Sequence, residues 1–432
     1  MNPQTQALCD FLNGSRSLYH ASAILCRWLE EAGFAFLDEG DAWKLQPGGC
    51  YYIRRGRSSV IAFRIPHGHP KGYLLSASHC DRPCFKVKEN FELTGTYTRL
   101  AVEKYGGLII HPWLDRPLSI AGRVLVDTPT GIETRLIDLD RDIALIPNVA
   151  IHIDPKINEG KNWNLAVDTI PLMGGPDAEG KLQLLLEEAA GGKILGQDLY
   201  LYLRENARIW GLDEEFISSA ALDDLHCVFG CVRGFLNADP VENVQMLCVF
   251  DGEEVGSNSP QGADGDLLSG TLERISRCMD YDHNRMLAGS FMVSADNAHA
   301  IHPNHPELAD PTNAPRINGG VVIKFNANQR YTTDGLAAAV FRKICQIADV
   351  PTQVYYNRAD MKGGATLGFI SLNHVSIPSV DIGLPQLAMH SCYETAGVKD
   401  ALYMEQAMTA YYNSTLEVRN GNCKIIETVI NE

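Results

Sequence analysis

An α/β fold, in which one α/β domain is interrupted by an inserted strand-rich domain, is predicted by three observations. Apolar stretches of strand length recur at residues 73–78, 244–250, 290–295 and 377–382, and each runs into side chains that bind metal or move protons. Helix-periodic segments at 18–32 and 225–235 accompany them, as an α/β fold requires. Between about residues 90 and 220 the texture changes to short alternating strands, and candidate catalytic residues become scarce.

Taken in chain order, Leu18, Ala21, Leu25, Trp28, Leu29 and Ala32 have helical spacing, and Gly33 follows where a helix C-terminus favours glycine. Strand-like segments then lead to His79. Residues 123–127 and 132–137 flank a Thr-Pro-Thr-Gly turn and predict a hairpin. Residues 149–153 and 199–203 alternate like short strands, whereas 182–190 is helical in pattern. Asp223-Asp224 precedes an apolar helical stretch at 225–235, which puts an acidic pair near a helix N-terminus. Gly363-Gly364 and Gly397 mark loops around His390. The expected division is a catalytic domain in two parts, 1–88 and 222–432, enclosing a strand-rich insertion at 89–221.

Composition narrows the function classes. A chain of 432 residues is long for one core, and 45% hydrophobic with 21% charged residues is the make-up of an ordinary globular protein. No run approaches the ~20 apolar residues that span a bilayer, and Met1-Asn2-Pro3-Gln4-Thr5-Gln6 lacks an export-signal layout. A cytoplasmic location is expected, with no membrane partner. The twelve cysteines are scattered, with Cys26, Cys248 and Cys345 in apolar runs, and none forms a Cys-x-x-Cys module. Cys80 and Cys84 are expected to be reduced core or site-wall residues. A net charge of −16 argues against a nucleic-acid partner, and it means that an acidic ligand needs a local positive pocket. For Asp115 and Arg116 an internal ion pair is expected.

The strand ends carry the chemistry. Open α/β sheets place ligands beyond the carboxyl ends of their strands, so His79, Asp81, Glu253, Glu254, Asp296 and His390 can converge. In a strand-like His-x-Asp both side chains face the same way, so Asp81 can accept the proton of one imidazole nitrogen while the other binds metal. Singly, such residues are more often turns, caps or satisfied core groups; their recurrence at strand ends gives them weight. Adjacent Glu253 and Glu254 face different ways, so one can hold a metal while the other moves a proton. Crowded carboxylates need a cation between them, and mixed imidazole and carboxylate donors suit zinc better than magnesium. Two such ions about 3.5–4 Å apart would suit amide hydrolysis.

The motifs His-Cys-Asp-Arg-Pro-Cys-Phe-Lys-Val-Lys from His79, Leu-Asp-Arg-Pro-Leu-Ser-Ile-Ala-Gly-Arg-Val from Leu114, Phe-Asp-Gly-Glu-Glu-Val-Gly-Ser from Phe250, Ser-Ala-Asp-Asn-Ala-His-Ala-Ile-His-Pro-Asn from Ser294 and Pro-Gln-Leu-Ala-Met-His-Ser from Pro385 follow in this order. Together they resemble the M18 metalloaminopeptidases, the aspartyl aminopeptidase group, in its bacterial branch. The resemblance implies a zinc-exopeptidase-type mixed sheet flanked by helices, with the insertion serving dimerisation and as a lid. It implies two zinc ions per subunit, replaceable by cobalt or manganese. Asp223 would bridge them, His79 and Asp296 would complete one site, and Glu254 and His390 the other. Glu253 would be the general base and Asp81 would orient His79. Substrate contacts would fall on His299, Lys324 and Tyr331, with His152 reaching a neighbouring subunit's site. The substrates implied are peptides with an N-terminal Asp or Glu, and the assembly a dimer-based homo-oligomer, a dodecamer. Two positions depart from the common pattern: Asp224 stands where Leu-Asp-Asn-Leu is frequent, and Gly252 where Asp-Asn-Glu-Glu is. Other readings are a related dinuclear amidase or deacylase, and a catalytically silent scaffold on the same fold.

Overall fold

A computed structural model describes residues 3–361, 363–364, 366–371 and 373–427; Met1 and Asn2, the start of the segment examined above for an export signal, lie outside them. The apolar stretches singled out in the sequence form the centre of a nine-stranded sheet. Across it the strands run Ala35–Phe36, Cys50–Arg55, Ser59–Arg64, Val244–Phe250, Tyr73–His79, Phe291–Ala295, Ser379–Gly383, Val321–Phe325 and Thr352–Tyr356. The central run from Val244–Phe250 to Ser379–Gly383 is parallel throughout, so its carboxyl ends share one edge. Every residue of these central strands is buried, because both faces are covered. Leu74, Leu247, Val249 and Val293 enter one core, whereas Tyr73, Leu75, Met246 and Cys248 enter the other. That alternation follows from the two-residue period of a strand.

Helices Leu222–Asn237 and Val398–Tyr412 pack together against the first face. Their backbones approach so closely that a Cβ at Gly230 would lie 2.3 Å from Met404 Cγ, and one at Gly234 would lie 2.5 Å from Met408 Cβ. Glycine at both positions is therefore a packing requirement. Buried hydroxyls fasten the second helix to the sheet: Tyr411 Oη reaches Phe291 O at 2.9 Å and Tyr412 Oη reaches Met246 O at 2.8 Å. Asp223 and Asp224 have non-helical backbone angles, so regular helix begins at Leu225, as the apolar pattern predicts. Helix Leu18–Glu31 and its following Gly33, at φ +85°, likewise match the sequence reading. Among the described residues no helix is long and apolar enough to cross a membrane.

Between His79 and Val244 the chain leaves this sheet and builds a six-stranded antiparallel one. Its order is Gly131–Asp138, Leu118–Thr128, Ile194–Leu203, Cys84–Leu93, Thr98–Tyr105, Leu172–Gly174. The expected hairpin is present, closing with Thr128 opposite Gly131. Residues 149–153 are not a strand. They form a turn, with Ile153 N–H donating to Ala150 O at 2.8 Å, and Ile153 is 78% exposed. Their alternation lacks the partner strand that would turn it into a ladder, and Pro147 and Pro155 flank it. Arg208–Trp210 pairs with Phe216–Ser219, which pairs with Glu394–Gly397, in a third sheet that also holds Pro385–Leu387 and Ala298–His299. Arg116 pairs with Glu205 at 2.5 Å, while Asp115 accepts from the Asn148 backbone at 2.9 Å and side chain at 2.7 Å.

One charged knot joins the six-stranded sheet to the main body. Asp198 accepts from Lys86 Nζ at 2.7 Å and Arg123 Nε at 2.9 Å, and Arg123 Nη1 also donates to Gly56 O at 2.6 Å. Burial pushes the Asp198 carboxyl up, but the ammonium and guanidinium outweigh it and hold it below the ordinary aspartate range. A carboxyl depressed in the folded state contributes stability above its unfolded pKa and loses it as pH falls through the folded one. Asp198→Asn should therefore cost about 2 kcal/mol at pH 7, read as a lower Tm, with the gap to wild type closing as the pH approaches 3. An equal Tm difference at both pH values would contradict this linkage.

Candidate metal centre

The shared carboxyl edge collects the side chains. His79 ends its strand, Asp296 follows Phe291–Ala295 directly, and Gly252, at φ +79°, turns the chain so that Glu253 and Glu254 lie beyond Phe250. His390 follows the strand Pro385–Leu387, and Asp223 stands at the mouth of its helix. Asp223 Oδ1 lies 3.5 Å from His79 Nε2, and Asp223 Oδ2 lies 3.5 Å from His390 Nε2. His390 Nε2 is also 3.4 Å from Glu254 Oε2. Donor atoms of His79, Asp223 and Glu254 fall within 4.8 Å of one another, as do those of Asp223, Asp224 and Asp296. Asp223 belongs to both groups and offers one oxygen to each imidazole.

The outer ring nitrogens set the direction of the inner ones. His390 Nδ1 faces Gly107 O at 2.9 Å, and His79 Nδ1 faces Asp81 O at 3.2 Å and Asp81 Oδ1 at 3.4 Å. Carbonyl and carboxylate oxygens only accept, so each Nδ1 carries a proton, and Nε2 is the ring nitrogen turned toward the cluster. Asp81 does more than orient His79. Its carboxylate accepts from Glu253 N and Glu254 N, both at 3.1 Å, and from Tyr105 Oη at 2.7 Å. The histidine strand and the Glu253-Glu254 turn are thus registered on one carboxylate.

Electrostatics show what the cluster lacks. Among the described residues Asp223 Oδ1, Asp224 Oδ1 and Glu254 Oε1 are buried without a hydrogen-bond partner, an arrangement that is costly unless something positive meets them. Burial opposes protonation of His79, yet Asp223 and Asp81 outweigh it and raise the imidazole well above its usual range. His390 is pushed up to about 10, with Asp223 and Glu254 overcoming burial. The Glu253 carboxyl is pushed up to about 7 by burial, with His79 opposing and Asp296 and Asp81 adding to the rise. Partnerless carboxylate oxygens and inward-facing imidazole nitrogens form the mixed donor set that zinc accepts.

The remaining expected residues divide. Lys324 is 2% exposed, and its Nζ donates to Asp296 O at 2.7 Å, reaches Asn297 O at 3.3 Å and lies 3.6 Å from Asp296 Oδ2. It also sits 5.1 Å above the Tyr331 ring, and Tyr331 is buried. His299 has an exposed surface although protein surrounds it, the position of a side chain lining a cleft. It helps line a cavity of about 320 Å³ with His302, Tyr355 and Gln386. His152 stands apart on the exposed turn near Ile153, and among the described residues no hydrogen bond or ion pair ties it to the cluster. Cys80 and Cys84 are buried and outside both donor groups.

Several residues of the site were not assigned roles from sequence. Asp224, half of the acidic pair at the helix N-terminus and a departure from the common pattern, accepts His79 N–H at 3.2 Å and joins the second donor group. Tyr105, Asn297, Gln386 and Glu394 carry no local spacing that marks them as partners of the site. A buried polar residue needs partners, but one sequence does not say which.

The chain matches, over residues 11–412, the family described as aminopeptidase I zinc metalloprotease (M18). It belongs to the M18 family. The probable M18 family aminopeptidase 2 of Clostridium novyi (strain NT) is 40% identical to this M18 chain over 422 residues, covering 94% of it and 98% of the relative. The protein of that name in Pseudomonas aeruginosa (strain LESB58) is 41% identical over 422 residues, covering 95% and 98%. Among solved structures, a cryo-EM structure of the Ape4 and Nbr1 complex matches with TM-score 0.90 and 34% identity over 95% of this chain and 85% of that one. The mApe1 dodecamer of S. cerevisiae matches with TM-score 0.84 and 25% identity, covering 94% and 96%. The M18 chain is therefore a zinc aminopeptidase by family, with the mixed α/β fold expected from its sequence. Zinc added to chelator-treated protein should raise Tm by several degrees, since a ligand at 1,000 times its Kd contributes about 4 kcal/mol. Asp223→Asn should abolish most of that rise in a thermal-shift titration; an undiminished rise would place the zinc elsewhere.

Proposed function

We propose that this chain removes N-terminal residues, preferably Asp or Glu, from peptides, using two zinc ions per subunit. The observation that carries the reading is Asp223, whose two oxygens face two separate imidazoles at 3.5 Å each. One ion would be held by Asp223 with His79 and Asp296, the other by Asp223 with Glu254 and His390; cobalt or manganese can substitute. When bound, zinc supplies Lewis acidity that polarises a scissile carbonyl and makes water a better nucleophile at neutral pH. Glu253 takes the proton from the attacking water and passes it to the leaving amine. A carboxyl pushed up to about 7 by burial is matched to accepting and releasing a proton near neutrality. Asp81 keeps the His79 ring turned inward through its acceptance from Nδ1.

Preference for an acidic residue is supported by Lys324, a buried cation in a chain of net charge −16. Its longest contact to an oxygen, 3.6 Å to Asp296 Oδ2, is the one that a substrate carboxylate would compete for. His299 lines the cleft and Tyr331 packs under the ammonium. Asp-, Glu-, Leu- and Lys-amides compared with zinc or cobalt present should show fastest turnover of the acidic pair, and N-acetylation should abolish it. Faster cleavage of neutral or basic amides would refute the preference, and cleavage of the blocked amide would favour the amidase or deacylase reading. Glu253→Gln should keep its zinc but lose at least ~10²-fold in kcat; unchanged kcat would remove Glu253 as base.

The same reading includes a dimer-based homo-oligomer, a dodecamer. In it residues 89–221 would supply subunit contacts and a lid over a catalytic domain formed by 1–88 and 222–432. Support comes from exposed Ile151 and Ile153 on either side of His152, which would enter a neighbouring site, from exposed Val167 in the same insertion, and from the S. cerevisiae relative described as a dodecamer. Light scattering coupled to activity should find activity in the assembled fractions; a fully active monomer would contradict the exchange of His152. Twelve free cysteines accord with a cytoplasmic location.

A further inference from the structure

A buried carboxylate that plays no part in the chemistry above lies directly behind it. Glu394, 1% exposed at the start of strand Glu394–Gly397, accepts the backbone N–H of Asp223 on Oε2 at 2.9 Å and that of His390 on Oε1 at 2.7 Å. One side chain therefore holds the main chains of two residues whose own side chains meet 3.5 Å apart. The clamp extends further. Gln386 Nε2 reaches Glu394 Oε1 at 3.4 Å, and Gln386 Oε1 accepts from Asn297 Nδ2 at 2.7 Å. Asn297 Nδ2 also donates to Leu222 O at 2.8 Å. The peptide group joining Leu222 to Asp223 is thus gripped at both ends, its oxygen by Asn297 and its N–H by Glu394. Asn297 directly follows Asp296, so the chain Asn297–Gln386–Glu394 links the backbones that carry Asp223, Asp296 and His390.

The local backbone shows why such a grip is needed. His390 adopts φ +69° and Ala388 φ +56°, left-handed conformations that non-glycine residues seldom occupy unless surrounding bonds impose them. The loop from 388 to 390 would relax if the acceptor for His390 N–H were lost, and Nε2 would swing away from Asp223 and Glu254. Among the described residues Glu394 belongs to neither group of clustered donor atoms, and its two oxygens are turned to the amides of Asp223 and His390. Its part is indirect, through ligand geometry.

We infer that Glu394 is a positioning residue that sets Asp223 and His390 at the spacing of one shared cation, and so governs the affinity of the His390-side site more than that of the His79-side site. The inference rests on the ligand roles proposed for these residues. Glu394→Gln tests it, because the amide replaces one acceptor oxygen by a donor and must face an N–H with an N–H. Cobalt titration of chelator-treated protein, followed by its visible absorption and by chelator competition, reads each site separately. Wild type should take up two equivalents. In Glu394→Gln one equivalent should bind 10- to 100-fold more weakly, the range for loss of an outer-shell partner, while the other shifts less than about threefold. His390→Ala should weaken the same equivalent, which assigns it. If Glu394→Gln fails to fold, Glu394→Asp gives the same readout, since a side chain one methylene shorter cannot reach both amides at these distances. Wild-type affinity for both equivalents in the folded variant overturns the inference, as does equal weakening of both. Failure of wild type to bind cobalt at all would instead overturn the ligand assignment on which it stands.

Discussion

Burying many carboxyl groups in one place is the constraint on which the rest of this molecule depends. Asp81, Asp223, Asp224 and Glu394 are each almost fully enclosed, and the side chains of Glu254 and Asp296 are nearly so. Their mutual repulsion in a weakly polarisable interior exceeds anything a surface ion pair could offset. Backbone amides meet part of the demand: Glu253 N and Glu254 N on Asp81, Asp223 N and His390 N on Glu394, His79 N on Asp224. Two imidazoles and one ammonium meet another part. Among the described residues, what stays unmet is concentrated on the inner oxygens of Asp223, Asp224 and Glu254, which is where the proposed cation would sit.

The scaffold serves this concentration. A parallel run of strands brings His79, Asp251 and Asp296 to a common edge without long loops. Two helices begin near that edge, and the glycines at 230 and 234 allow them to lie close enough for Glu394, just ahead of one, to touch Asp223 at the start of the other. Replacing Gly230 or Gly234 by a larger residue would thus act on the site from a distance, through the separation of the helices.

The parts legible in the sequence were those with a repeating physical signature. The central strands were legible because sheets covered on both faces require unbroken apolar runs, and their ends because polar residues return abruptly there. His79 and Asp81 were legible through a two-residue spacing that puts both on one side. Residues 149–153 misled because alternation records a half-buried surface without stating what buries it, and within this chain they form a turn. Tyr105, Asn297, Gln386 and Glu394 left no local trace, since their partners lie 24, 89 or 171 positions away in sequence. Asp224 is legible as half of an acidic pair at a helix start and as an aspartate where a relative often has asparagine, and its burial beside Asp223 and Asp296 emerges in three dimensions.

The short stretch from Tyr105 to Gly107, where the six-stranded sheet hands the chain onward, touches both histidines. Tyr105 Oη supports Asp81 behind His79, and Gly107 O accepts from His390. Neither imidazole can keep its orientation if that sheet tilts relative to the strand edge. With His79 and His390 as the proposed ligands, metal occupancy and the posture of the six-stranded sheet would be linked, and linkage is reciprocal: an ion held there would stiffen the joint between the two sheets, and a neighbour leaning on the outer sheet would retune the grip on the ion.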